Sequence, residues 1–105
     1  IQRLEDLRHL DLSINKLKSL PKKLGLLSRL KELTLSSNTL FDLPKTIGNL
    51  LNLEILNLSN NKLKSIPNSI GNLKNLKRLN LKANFWITLP GEVDELVKQG
   101  LDLLK

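Results

Sequence analysis

The 105-residue chain contains no cysteine, no methionine and no tyrosine, only one tryptophan and two phenylalanines, and a single histidine, His9. Without thiols there is no disulfide framework, no thiolate nucleophile and no cysteine-ligated zinc, and one histidine is too few for a histidine-built metal centre. No cofactor is expected. No apolar run approaches the roughly 18 to 20 residues that cross a bilayer, and the N-terminus lacks the charged-then-apolar order of a secretory signal. A cytoplasmic protein without a membrane span is the expectation. Positive charge is plentiful, with 17 basic against 10 acidic side chains and a net charge of +7. It is spread evenly: residues 1 to 52 carry nine basic and five acidic groups, and residues 53 to 105 carry eight and five.

What is abundant is leucine, 29 residues, and asparagine, 12 residues, a bias that calls for a search for internal repeats. Written in rows of 23, the chain puts Leu7, Leu30, Leu53 and Leu76 in one column. Asn15, Asn38, Asn61 and Asn84 form a second column, Pro21, Pro44, Pro67 and Pro90 a third, and Gly25, Gly48 and Gly71 a fourth. The row is L-x-x-L-x-L-x-x-N-x-L-x-x-L-P-x-x-L-G-x-L-x-x, cleanest from Leu53 to Asn75. Its paired leucines, such as Leu56 and Leu58, alternate as on a short strand with one buried face. One such unit cannot bury its own leucines, so the units must stack, strands in parallel, around a shared core. An asparagine following each strand can donate to and accept from the backbone of adjacent turns, so that column is structural. Proline ends each second extended segment, and glycine permits a tight turn or a close approach.

The pattern resembles the leucine-rich repeat family, and the L-P-x-x-I-G-N-L half, as at Leu43 to Leu50, is similar to its intracellular 23-residue class. The resemblance implies one α/β domain over residues 1–105, a right-handed solenoid with a parallel sheet on its concave face and irregular or 3-10 turns on its convex face. The repeats fall at 7–29, 30–52, 53–75 and 76–98, with residues 1–6 matching the end of a preceding repeat. A chain that starts mid-repeat is expected to be a segment of a longer array, able to self-associate through its uncapped N-terminal end. Trp86 and Asp94 make the fourth copy atypical. From Glu92, apolar residues at Val93, Leu96, Val97, Leu101 and Leu104 follow helical spacing, which predicts a C-terminal capping helix over about 92–104. That stretch also resembles the segment closing repeat arrays in bacterial repeat proteins and in Roco proteins, where a GTPase domain follows.

With the columns given to core and turns, function falls to the outward positions of the strands. The partner-binding face is expected at His9, Asp11, Glu32, Thr34, Ile55, Asn57, Arg78, Asn80 and Lys82, centred on Ile55 as an apolar anchor. Four strands about 4.8 Å apart make a face under about 20 Å wide. That is small against the roughly 800 Å² per partner of a stable interface. Phe41, Phe85 and Ile87 stand where other copies carry polar residues or lysine, either as a second contact patch or packed over the end of the array.

Catalysis is not expected. His9, Asp11 and neighbouring serines lie on a shallow, solvated face without a desolvated pocket or oxyanion donors, and no phosphate-binding glycine loop is present. Specific nucleic-acid binding is poorly supported, since that face lacks aromatic side chains for stacking. Lys16, Lys18, Lys22, Lys23, Lys62 and Lys64 leave weak attraction to polyanions or anionic lipid as an alternative. The sequence thus reads as a non-catalytic protein-interaction module, or as the recognition segment of a multidomain signalling enzyme.

Overall fold

Each stretch of alternating leucines closes into a three-residue strand, and five of them line up in one parallel sheet in chain order: β1 His9–Asp11, β2 Glu32–Thr34, β3 Ile55–Asn57, β4 Arg78–Asn80 and β5 Asp102–Leu104. The computed structural model describes residues 4–85 and 87–105, so the expectation resting on Trp86 lies outside the described residues. Register pairs Leu10 with Leu33, Leu33 with Leu56, Leu56 with Leu79 and Leu79 with Leu103, which stacks one leucine row behind the sheet. Leu33, Leu56 and Leu79 are fully buried, whereas Leu10 and Leu103 at the two ends are partly buried. The sheet has one buried side and one open side because side chains alternate along a strand.

The second half of each repeat returns through a 3-10 turn opened by the proline column: Lys22–Leu26, Lys45–Asn49 and Asn68–Asn72. These turns stack so tightly that a Cβ on Gly25, Gly48 or Gly71 would lie 2.7, 2.5 or 2.6 Å from an atom of the next unit. The glycine column is therefore a packing requirement between neighbours.

In the fourth unit the turn is replaced by an α-helix, α1 Gly91–Lys98, which buries Val93 and Leu96. Pro90 precedes it, Glu92 and Asp94 lie in its first turn and Lys98 in its last, as the helix dipole favours. The helix ends at Lys98, six residues short of the sequence expectation, because Gly100 takes φ +110°. There the Leu101 N–H bonds to the Leu96 carbonyl at 2.9 Å and the Gly100 N–H to the Val97 carbonyl at 3.0 Å, the two bonds of a Schellman stop. Residues 102–104 then form β5. The apolar spacing over 93–104 thus belongs partly to a helix and partly to the strand that follows. The helix does not end the sheet; it is the convex element of its own unit.

The partial repeat at 1–6 is described from Leu4, where Leu4–Asp6 makes a 3-10 turn. Leu7, Leu12, Leu17 and Leu27 of the first unit are only partly buried, and Leu4 and Leu26 are exposed. The apolar interior is thinnest at this end.

Candidate interaction surface

Two rows of side chains cross the open face of the sheet, set by register. The first runs His9, Glu32, Ile55, Arg78 and Asp102; the second runs Asp11, Thr34, Asn57, Asn80 and Leu104. Asp102 and Leu104 belong to the face through β5 and were not foreseen, because their segment reads as helix by apolar spacing. The signal that would have found them is Gly100, a helix stop followed by apolar alternation.

In the first row, His9 Nδ1 lies 3.2 Å from Glu32 Oε2 and Arg78 Nε lies 3.3 Å from Asp102 Oδ2. Ile55, half-buried, sits between these pairs. Beside it, Lys77 Nζ reaches Glu54 Oε1 at 3.4 Å. Polar side chains in this row pair sideways, strand to strand, around an aliphatic centre.

The second row does a different job. Asp11 Oδ1 accepts the Ser13 N–H at 2.9 Å, Asn57 Oδ1 the Ser59 N–H at 3.0 Å, and Asn80 Oδ1 the Lys82 N–H at 3.0 Å. Each oxygen thus turns the chain out of its own strand, as an Asx turn does. The Asp11 carboxyl is held below its ordinary value by the Ser13 hydroxyl and then by the Ser13 backbone N–H. Three of the expected contact residues each have one side-chain oxygen committed to the backbone, while His9, Glu32, Thr34, Ile55, Arg78 and Lys82 carry the outward chemistry. Among the described residues, no three histidine, aspartate or glutamate side chains converge as a metal site would require.

The asparagine column lies at the rim, turned inward. Asn38 Nδ2 donates to the carbonyls of Leu12 and Leu35 at 3.0 and 2.9 Å, while its Oδ1 accepts the N–H groups of Asn15 and Leu17. Asn61 and Asn84 repeat the two donations one and two units on, and their Oδ1 atoms accept the Leu40 and Leu63 N–H groups. Every such amide ties the backbones of neighbouring units together.

Phe41, Phe85 and Ile87 part company. Ile87 packs against the core, but Phe41 and Phe85 are 54% and 66% exposed. Packing over the end of the array accounts for one of the three.

A model for a leucine-rich repeat region matches residues 1–99. The structure of a leucine-rich repeat protein from Leptospira interrogans is similar, with 38% identity and a TM-score of 0.64 over 96% of this chain. This chain spans 31% of that protein's chain. No curated protein matches. None of the described helices is long and apolar enough to cross a membrane. With the asparagine ladder and stacked glycine turns already in place, these matches show that the chain belongs to the leucine-rich repeat family, whose domains generally serve as protein-interaction modules.

Proposed function

We propose that this chain is a non-catalytic protein-binding module that seats its partner on the open face of the sheet, with Ile55 as the central anchor. The observation supporting this reading is the row His9, Glu32, Ile55, Arg78 and Asp102, where two lateral side-chain pairs, His9 with Glu32 and Arg78 with Asp102, flank one half-buried aliphatic side chain. The Arg78–Asp102 ion pair, already formed on the free surface, needs no new counter-charge when a partner arrives. An apolar centre inside a polar ring is the arrangement in which binding energy concentrates. The sheet spans about 20 Å at about 4.8 Å per strand. A partner burying the roughly 800 Å² of a stable interface therefore also touches the rim, with Thr34 and Lys82 within reach.

The test is a crosslinking pulldown from cell lysate with the wild type, Ile55→Asp and Arg78→Glu. Both changes point away from the core, so thermal stability stays near wild type while the crosslinked protein is lost. Capture that survives both substitutions would place the contact elsewhere.

A further inference from the structure

Beyond the sheet face, the segments that follow the asparagine column form a second stacked surface. The Thr39 N–H bonds to the Leu17 carbonyl at 2.8 Å, the Lys62 N–H to the Leu40 carbonyl at 2.9 Å, and the Thr88 N–H to the Lys64 carbonyl at 2.7 Å. Successive units therefore present Lys16 and Lys18, then Thr39 and Phe41, then Lys62 and Lys64, then Phe85. Basic and aromatic side chains interleave along one edge. All four lysines are exposed, and among the described residues none of them makes an ion pair. The ion pairs lie instead on the sheet face, between Arg29 and Asp6, and on α1. Lys62 Nζ stands 5.9 Å from the Phe41 ring centroid, within cation–π range. Phe85 borders an open recess of about 340 Å³ beside Lys62, Asn60 and Ala83.

We infer that this edge docks an acidic protein segment carrying a bulky apolar side chain. The apolar group enters the recess against Phe85, and the carboxylates meet Lys62 and Lys64. Charge complementarity selects the sign of the partner, and two exposed phenylalanines supply the contact that loses water on binding. A protein segment fits better than a nucleic acid or an anionic bilayer. Asp42, beside Phe41, opposes a ligand charged at every position, whereas a polypeptide can set a neutral residue there. This edge is separate from the sheet face and does not depend on its assignment.

The test pans a random peptide library on the chain and measures the enriched peptides against Lys62→Glu/Lys64→Glu, Phe85→Ser and Ile55→Asp, each first shown by circular dichroism to melt like the wild type. The expected result is enrichment of peptides combining aspartate or glutamate with leucine, phenylalanine or tryptophan. They should bind the two edge variants at least about tenfold more weakly and Ile55→Asp as tightly as wild type. Enriched peptides without an acidic bias, or indifferent to the edge variants, overturn the inference. So does edge-dependent capture of short oligouridylate or phosphatidylserine vesicles without any such peptide, which would make the strip a polyanion surface. Peptides lost only with Ile55→Asp belong to the sheet face and count against the edge alone.

Discussion

A Cβ placed on Gly48 would stand 2.5 Å from the carbonyl oxygen of Ser69 in the next unit, and that oxygen, being backbone, has nowhere to move. Gly48→Ala should therefore force two units apart and cost about 1 to 3 kcal/mol, as overpacking does. Gly91→Ala is the control, because its Cβ would meet nothing within 4 Å. Urea denaturation of the two variants checks the contrast. Equal midpoints would mean that the stacked turns are looser than the structure shows.

Asn61 is buried and fully engaged, donating to the carbonyls of Leu35 and Leu58 and accepting the Leu40 N–H. Asn61→Ala strands the buried Leu40 N–H, removes one of the two amide donors at each of the Leu35 and Leu58 carbonyls and leaves a void, so it should cost about 1 to 3 kcal/mol. Asn15→Ala, at the exposed first position of the column, loses bonds that water can replace and should cost under about 1 kcal/mol. If the two variants melt at the same temperature, the amide column does not bind units together as drawn.

Ile14 adopts φ +58° and is 80% exposed, a β-branched side chain in the left-handed region with no burial to offset the strain. The same column holds Asn60 at φ +55°, a residue type that tolerates this conformation. Ile14→Asn should stabilise the chain by about 1 kcal/mol. A melting temperature that fails to rise would refute the strain argument, and Ile14→Val, still β-branched, should change little.

Much of this was legible in the residues. The 23-residue spacing placed the strands, the leucine row and the inward asparagines, since a repeating register leaves little freedom once neighbours must stack. The same spacing put His9 and Glu32, 23 residues apart, on one face. Two things were hidden. Val93, Leu96, Val97, Leu101 and Leu104 satisfy helical spacing all the way, so only the positive φ at Gly100 divides helix from strand and delivers Asp102 to Arg78. The side-chain oxygens of Asp11, Asn57 and Asn80 looked free for a partner. Their capture by an N–H two residues on depends on where each strand stops, which a register fixed by leucines does not specify.

Asp11 offers a check by titration. Its carboxyl is fully exposed, yet the Ser13 hydroxyl and then the Ser13 N–H hold it below the ordinary 3.8. Because the folded value is depressed, the stabilisation is present above the unfolded pKa and is lost as pH falls through the folded one. Carboxyl NMR shifts should give a midpoint under 3.8 for Asp11. Ser13→Ala removes the larger contribution and should raise the midpoint toward that value without reaching it. A wild-type midpoint at or above the ordinary value would contradict the Asx turn.

The final strand is held by a single backbone conformation. Gly100 at φ +110° lets the chain leave α1 and run beside β4, where the Leu81 N–H reaches the Leu104 carbonyl at 2.7 Å and the Asp102 N–H the Lys77 carbonyl at 2.9 Å. A β-branched residue cannot hold that φ without strain of about 1 to 3 kcal/mol. Gly100→Val should therefore release β5 and deprive Arg78 of Asp102. Contacts in a repeat array reach only the adjacent unit, so the damage should stay local. Hydrogen exchange separates the outcomes: the Leu81 amide should lose protection at least about tenfold. The Leu58 amide, bonded to the Asn80 carbonyl one unit back, should keep most of its protection. Equal losses at both amides would mean that the units melt together and that the Gly100 turn governs more than its own strand.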